Sequence, residues 1–217
     1  GVWKLRRPVE YDDFMSSEDA RREYWDFKLE GWPGISRAEP NAVHRAAVRL
    51  EIAGRLIGVV TQNVDGLHAR AGTAPVRLVE LHGTDRAVEC QSCGDRSLPG
   101  PHLRAFEETR EPPVCACGGH LKPATISFGQ DLRPEDLQRA AQMAMDADLV
   151  VALGSTLGVH PAAGIPLLAA ERGAPYVIIN RGETAHDGLA LVTLRLEGDV
   201  GVLFPRAVEG ALQGDDG

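Results

Sequence analysis

The chain has 217 residues, is 43% hydrophobic and carries a formal net charge of −8. That length allows one sizeable domain, or one domain with a smaller insert, and the apolar content is that of a globular chain with a real core. The acidic balance argues against nucleic-acid binding, no apolar run approaches the roughly 20 residues of a bilayer span, and Gly1 opens no secretory leader, so a soluble cytoplasmic protein without a membrane partner is expected.

In chain order, the first 55 residues read as helical. Ser16 or Ser17 caps a helix that has Glu18 and Asp19 in its first turn and runs through Ala20–Leu29. Gly31-Trp32-Pro33-Gly34 is expected to break it. Pro40-Asn41 opens a second helix, about Ala42 to Ile52, stopped near Gly54. From Leu56 the pattern changes. Leu56–Thr61, Asp148–Leu153 and Pro175–Asn180 are short continuous apolar runs, as buried parallel strands should be. Helices are expected at Pro134–Met145, Pro161–Arg172 and Val200–Leu212, a further strand at Leu191–Leu196, and a frayed tail at Gly214–Gly217. Strands alternating with helices imply an α/β fold built on a parallel sheet, with helices on both faces. Residues 85–122 interrupt that rhythm with cysteines, Gly, Pro and little periodicity, and read as an inserted small module. The main domain is then 1–84 and 123–217, its first 55 residues helical.

All four cysteines lie in the insert. Cys90-Gln91-Ser92-Cys93 is a CxxC knuckle, and Cys115-Ala116-Cys117 is a shorter second pair. Four thiolates on two tight turns suit a tetrahedral zinc ion, and a closed four-cysteine shell makes that zinc structural. Gly94, Gly118 and Gly119 stand where knuckles need tight turns. The alternatives are free core thiols or a redox CxxC pair.

Three strand ends carry polar residues. Thr61-Gln62-Asn63-Val64-Asp65-Gly66 ends the first strand, Gly154-Ser155-Thr156 the second and Asn180-Arg181-Gly182 the third. In an open α/β sheet ligands bind at these ends, and the three are expected to share one sheet and one crevice. Gln62, Asn63, Asp65 and Asn180 can bond ribose hydroxyls or a carboxamide. The small residues at 154–156 let backbone approach a phosphate. His82, in Glu80-Leu81-His82-Gly83, is the candidate general base. The other histidines read as bonded structural residues. Singly, each segment is equally an ordinary polar turn; together they converge on one ligand.

These segments, with Ala71-Gly72, Gly118-Gly119-His120-Leu121-Lys122-Pro123, Ser127-Phe128-Gly129 and Ile179-Asn180, resemble the sirtuin family in content and order. Gly31-Trp32-Pro33 and Pro40-Asn41-Ala42-Val43-His44 look most like its class II branch. The resemblance implies a Rossmann-like NAD-binding domain with a zinc-binding insert, and NAD-dependent removal of acetyl or longer acyl groups from protein lysines. The products implied are nicotinamide, O-acyl-ADP-ribose and free lysine. By position, His82 matches the catalytic base, with Asn63 beside it. Gln62, Asn63 and Asp65 match the residues that hold the nicotinamide ribose and carboxamide. Gly154, Ser155 and Thr156 match the phosphate and ribose loop, Asn180 with Arg181 the adenine-ribose ligands, and Val200 a small residue near adenine. Ile126 and Phe128 match the wall of the acyl-lysine tunnel. The substrate peptide would add as a strand between Ser127-Phe128-Gly129 and Leu157-Gly158-Val159. A protein mono-ADP-ribosyltransferase on the same fold, and a catalytically silent acyl-lysine-binding module, are the alternative readings.

The chain departs from the family pattern in three places. Family members begin with a strand and a Gly-Ala-Gly-x-Ser turn, and Gly1-Val2-Trp3 looks like the residues just after the loop that follows it. Either the numbering starts inside a longer gene product or half of the NAD grip is missing. The first is expected, because losing a central strand exposes a sheet edge. Trp25 and Lys28 align where desuccinylating members carry a Tyr-x-x-Arg pair, so no succinyl preference is expected. Gln130 replaces a common Glu and is expected to alter contacts with the substrate strand.

Overall fold

The computed structural model describes residues 8–214. The expectation for Gly1-Val2-Trp3, and that for the tail from Asp215 on, lie outside the described residues. The chain folds into two compact units. One comprises the residues up to Ala38, Gln62–Gly66 and His82–Leu132; the other comprises Glu39–Thr61, Leu67–Leu81 and the residues from Arg133 on.

The first unit contains α1 (Tyr11–Ser16), α2 (Glu18–Arg37), β3 (Gly83–Cys90), β4 (Arg96–Ser97), α5 (Pro99–Thr109) and β5 (Leu121–Thr125). Strand β3 pairs antiparallel with both β4 and β5. Ser17 caps α2, its hydroxyl accepting from the Ala20 N–H at 3.2 Å. The Gly31–Gly34 segment does not break this helix, which runs through Pro33 to Arg37. Pro33 lacks the N–H that would bond back into the preceding turn. Tertiary packing overrides that loss, because Trp25, Leu29 and Trp32 lie on one stripe against the core of Phe14, Val88, Leu103, Phe106 and Leu121. Trp25 is fully buried, and its indole N–H donates to the Leu121 carbonyl at 3.2 Å. The insert also has more structure than its sequence showed. Pro99, Gly100 and Pro101 obscure the start of α5, yet Pro is tolerated in a first helical turn, and Leu103 and Phe106 then bury one face.

The second unit contains α3 (Ala42–Ile52), β1 (Val59–Thr61), α4 (Leu67–Ala71), β2 (Leu78–Glu80), α6 (Pro134–Asp146), β6 (Val150–Leu153), α7 (Ile165–Glu171), β7 (Tyr176–Asn180), β8 (Leu194–Glu197) and α8 (Val200–Gln213). All its strand pairs are parallel. Helices cover both faces of β7. Ile179 packs with Ala46 of α3 and with Phe204 and Val208 of α8, whereas Tyr176 and Ile178 pack with Leu157 and Ala170. A third cluster joins Val79, Leu81, Ala140 and Ala162. This is the α/β architecture the sequence pattern called for.

Three details differ from expectation. The three polar strand ends do not share one sheet among the described residues: β1 pairs with β2, while β6, β7 and β8 form a separate sheet in that order. Strands β1 and β6 are half-buried, unlike β7, and each pairs on one side alone among the described residues. The helix expected at Pro161–Arg172 is a 3-10 turn at Ala162–Gly164 followed by α7. Among the described residues no helix is long and apolar enough to cross a membrane.

Candidate active site and metal centre

In the first unit, His82 stands at the junction before β3. Gly83 has φ +71, and a Cβ on it would sit 2.0 Å from the Ala124 carbonyl oxygen. Only glycine allows β3 to pass so close to β5. The His82 carbonyl accepts from the Ile126 N–H at 2.8 Å, so the candidate base and the tunnel-wall segment share a backbone bond. The His82 ring lies with Nδ1 3.0 Å from the Gln62 carbonyl oxygen. A carbonyl only accepts, so Nδ1 carries the proton and Nε2 of the neutral ring is left as a proton acceptor. Thus Gln62 acts here through its backbone, a role its residue type does not announce.

The Gln62–Gly66 loop is held from beneath by β3. The Asp85 N–H donates to the Val64 carbonyl at 2.7 Å, and Arg86 Nε to the Asp65 carbonyl at 2.5 Å. Arg86 Nη2 also donates to the Ile35 carbonyl at 3.0 Å, tying the loop to α2. Arg86 is a site-supporting residue that sequence reasoning missed, since its partners are carbonyls.

Ile126 is half-buried and Phe128 is 59% exposed. Gln130 holds this segment from within, its Oε1 accepting from the Ser127 N–H at 3.1 Å and from Lys122 Nζ at 3.3 Å. The Ser127 hydroxyl is buried with no hydrogen-bond partner among the described residues. Beside it lies a buried polar cluster. Lys28 Nζ is 2.6 Å from Asp85 Oδ1, and the Tyr24 hydroxyl is 3.0 Å from that of Thr125. Burial alone would lower the Lys28 ammonium, yet Tyr24 and Asp85 hold it above its ordinary pKa. Burial pushes Lys122 below its own. Lys28 is therefore committed to an internal ion pair, and Trp25 to the core.

In the second unit, Gly154 follows β6 and Asn180 is the last residue of the adjacent β7, the Gly154 N–H donating to the Ile179 carbonyl at 2.9 Å. Gly154 has φ +60, and Val200 lies 3.7 Å from where its Cβ would be. The Ser155 hydroxyl accepts from the Leu157 N–H at 3.1 Å. Asn180 is 7% exposed, and its Nδ2 donates to the Arg181 and Gly182 carbonyls at 3.1 and 3.0 Å. Arg181 pairs with Asp199 at 2.6 Å. Gly154, Ser155, Asn180 and Val200 are thus brought together. The Gly154 N–H and both Asn180 amide hydrogens are engaged within the protein, so it is the Ser155 hydroxyl as donor and the Asn180 Oδ1 as acceptor that suit phosphate oxygens and sugar hydroxyls. Val159 is 52% exposed on the segment after Leu157.

The four cysteine sulfurs of the insert lie within 4.8 Å of one another, with Cys90 to Cys117 at 3.5 Å and Cys93 to Cys115 at 3.8 Å. A tetrahedron with bonds of about 2.3 Å separates its sulfurs by about 3.8 Å, so the residues fit zinc. The short CxC pair is accommodated by a turn in which the Cys115 N–H donates to the Gly119 carbonyl at 2.8 Å. A Cβ on Gly119 would lie 2.6 Å from the Cys90 sulfur. Hydrogen bonds from the Cys93 and Ser92 backbone lower the Cys90 thiol to about 6, while the neighbouring sulfurs push Cys93 and Cys115 up against the backbone bonds they receive, as when crowded thiols share one negative charge.

The sequence pattern of the Sir2 family matches residues 1–161. The chain is 38% identical over 195 residues to NAD-dependent protein deacetylase 1 of Bradyrhizobium diazoefficiens, covering 90% of this chain and 77% of that protein. It is 34% identical over 227 residues to the human NAD-dependent protein lipoamidase sirtuin-4, mitochondrial, covering 92% and 71%. Among solved structures, a Sir2–p53 peptide–NAD+ complex superposes with a TM-score of 0.85 at 31% identity, covering 96% of this chain and 84% of that one. A Sir2 bound to acetylated peptide superposes with a TM-score of 0.84 at 31% identity, covering 94% and 82%. With nearly three quarters of its length matched by the family pattern and its fold shared with these enzymes, the chain belongs to the Sir2 family.

Proposed function

We propose that this protein is an NAD-dependent protein lysine deacylase whose base is His82. The observation that carries the reading is the His82 ring, oriented by the Gln62 carbonyl so that Nε2 is the proton acceptor. When bound, NAD supplies a ribose carbon that exchanges nicotinamide for the acyl oxygen, so one NAD is consumed per acyl group removed. His82 Nε2 takes the proton of a ribose hydroxyl, with Asn63 beside it. Gln62, Asn63 and Asp65 hold the nicotinamide ribose and carboxamide. Gly154, Ser155, Thr156, Asn180, Arg181 and Val200 hold the pyrophosphate and adenosine half. Ile126, Phe128 and Val159 receive the acylated lysine. An acyl-lysine is neutral and enters an apolar channel readily, whereas a free ammonium resists desolvation.

The reading divides the chain into an NAD-binding part, residues 1–84 and 123–217, and a zinc module, residues 85–122. Cys90, Cys93, Cys115 and Cys117 hold a structural zinc there. Thiols kept as metal ligands support a cytoplasmic location. Relatives named as deacetylases and as a lipoamidase support acyl groups from acetyl upwards as substrates. The internal pairing of Lys28 with Asp85 supports the absence of a succinyl preference.

The test is incubation of the full-length, zinc-loaded protein with NAD and a panel of acyl-lysine peptides, read by mass spectrometry. Deacylated peptide with an equal amount of nicotinamide is the expected outcome. Addition of ADP-ribose to protein without dependence on an acyl group would instead establish a mono-ADP-ribosyltransferase. Peptide binding with no nicotinamide release would establish a silent acyl-lysine-binding module.

A further inference from the structure

We infer that Arg195 is a positioning residue for the cofactor-binding loop that follows β7. The inference rests on the proposed assignment of Asn180 and the 154–156 segment to the adenosine half of NAD. Arg195 lies in β8, beside the strand that carries Asn180, with its side chain 21% exposed. Its guanidinium spans five acceptors. Nη1 donates to the Asn180 and Leu196 carbonyls at 3.2 and 2.6 Å. Nη2 donates to the Gly182 carbonyl at 2.6 Å and to Glu197 Oε2 at 3.1 Å. Nε donates to Asp187 Oδ1 at 2.8 Å.

Three of those acceptors constrain the loop of residues 181–187: Gly182 and Asp187 lie in it, and Glu197 bonds to the Gly182 N–H. The Gly182 carbonyl is shared, because the Asn180 side-chain amide also donates to it at 3.0 Å. The rotamer of the ribose ligand is thereby tied to the position of Arg195. The other Glu197 oxygen accepts from the Gly182 N–H at 2.9 Å, so Arg195 holds Gly182 at its carbonyl directly and at its N–H through Glu197. Asp187 accepts from the Thr184 N–H at 3.0 Å and closes the turn at the far end. Its carboxyl is held below the usual range by the bonds from Thr184 and then by Arg195, so it stays charged. One residue before His186, the Ala185 N–H donates to the Thr156 carbonyl at 2.9 Å. The loop that Arg195 clamps thus joins the two strand ends assigned to the cofactor. A lysine ammonium cannot reproduce this arrangement, because it lacks the planar fork that reaches carbonyls and carboxylates in one plane.

If the clamp is lost, the loop visits open conformations and apparent affinity falls by the fraction of time it is closed. The experiment measures ADP-ribose binding by calorimetry and amide hydrogen exchange in Arg195→Gln, Arg195→Lys and Asn180→Ala. Both Arg195 variants are expected to weaken ADP-ribose by about tenfold, as for a loop closed about a tenth of the time. They are also expected to speed exchange at Gly182 and Ala185, and to raise KM for NAD while kcat at saturating NAD stays within about twofold. Should Arg195→Gln not fold, Arg195→Lys keeps the charge facing Asp187 and reads the same quantities. Unchanged ADP-ribose affinity in a folded Arg195 variant, with Asn180→Ala weakened, overturns the inference alone. Unchanged affinity in Asn180→Ala overturns the cofactor assignment and the inference with it.

Discussion

At residue 82 the geometry depends on two neighbours of different kinds. The Gln62 carbonyl sets the tautomer of His82, and Gly83 lets the strand after it run against Ala124. Replacing His82 by Ala removes the proposed base but no core contact. Turnover is expected to fall by about 100-fold or more, the usual worth of a positioned base, with the melting temperature held. Wild-type turnover in that variant would exclude His82 as the base. Gly83→Ala acts differently. Its new Cβ meets main chain at 2.0 Å in a backbone conformation that L-residues avoid. A loss of about 3 kcal/mol or more in urea unfolding is expected, and a change under about 0.5 kcal/mol would contradict the geometry. His82 was legible as a candidate in the sequence through the other segments around it and the family resemblance they carry together. Its orienting carbonyl and the Arg86 support were not, because backbone acceptors leave no mark on residue type.

Among the elements, the cysteine knuckles were the most legible and α2 the least. Two cysteine pairs with adjoining glycines constrain their own local turns, so spacing alone carries the metal site. Helix α2 contains two glycines and a proline that local rules read as a stop, and it continues because Trp25 and Trp32 are needed on one face of a core. Cys117→Ala leaves three sulfur ligands at the knuckles. Its zinc content is expected to fall well below one equivalent, and the β3–β5 pairing beside the site to loosen. One full equivalent of zinc retained, with unchanged melting, would contradict the assignment.

Over the whole molecule, the apolar interior is divided. One cluster of Phe14, Trp25, Val88, Leu103 and Phe106 lies in the unit that holds the cysteines, and three others lie around the parallel strands of the second unit. Cores of this kind open as separate cooperative units. Chelation of zinc is therefore expected to speed amide exchange in β3 and β5 while β7 stays protected. Equal loss of protection in β7 and β5 would show one cooperative unit instead. The acidic net charge, by contrast, bears on solubility and not on this division.

By itself the sequence determined the α/β class, the family and the pairing of four cysteines in one insert, since each rests on local strings or on short-range periodicity. The tertiary structure decided that β1 and β6 belong to separate sheets among the described residues. It also decided that Lys28 answers Asp85, and that Arg195 reaches back over β7 to the Asn180 and Gly182 carbonyls. Those outcomes depend on which groups meet across long stretches of chain. Strand pairing and buried charge are settled by the desolvation of every unpaired group in the fold, a quantity that no local window of residues contains.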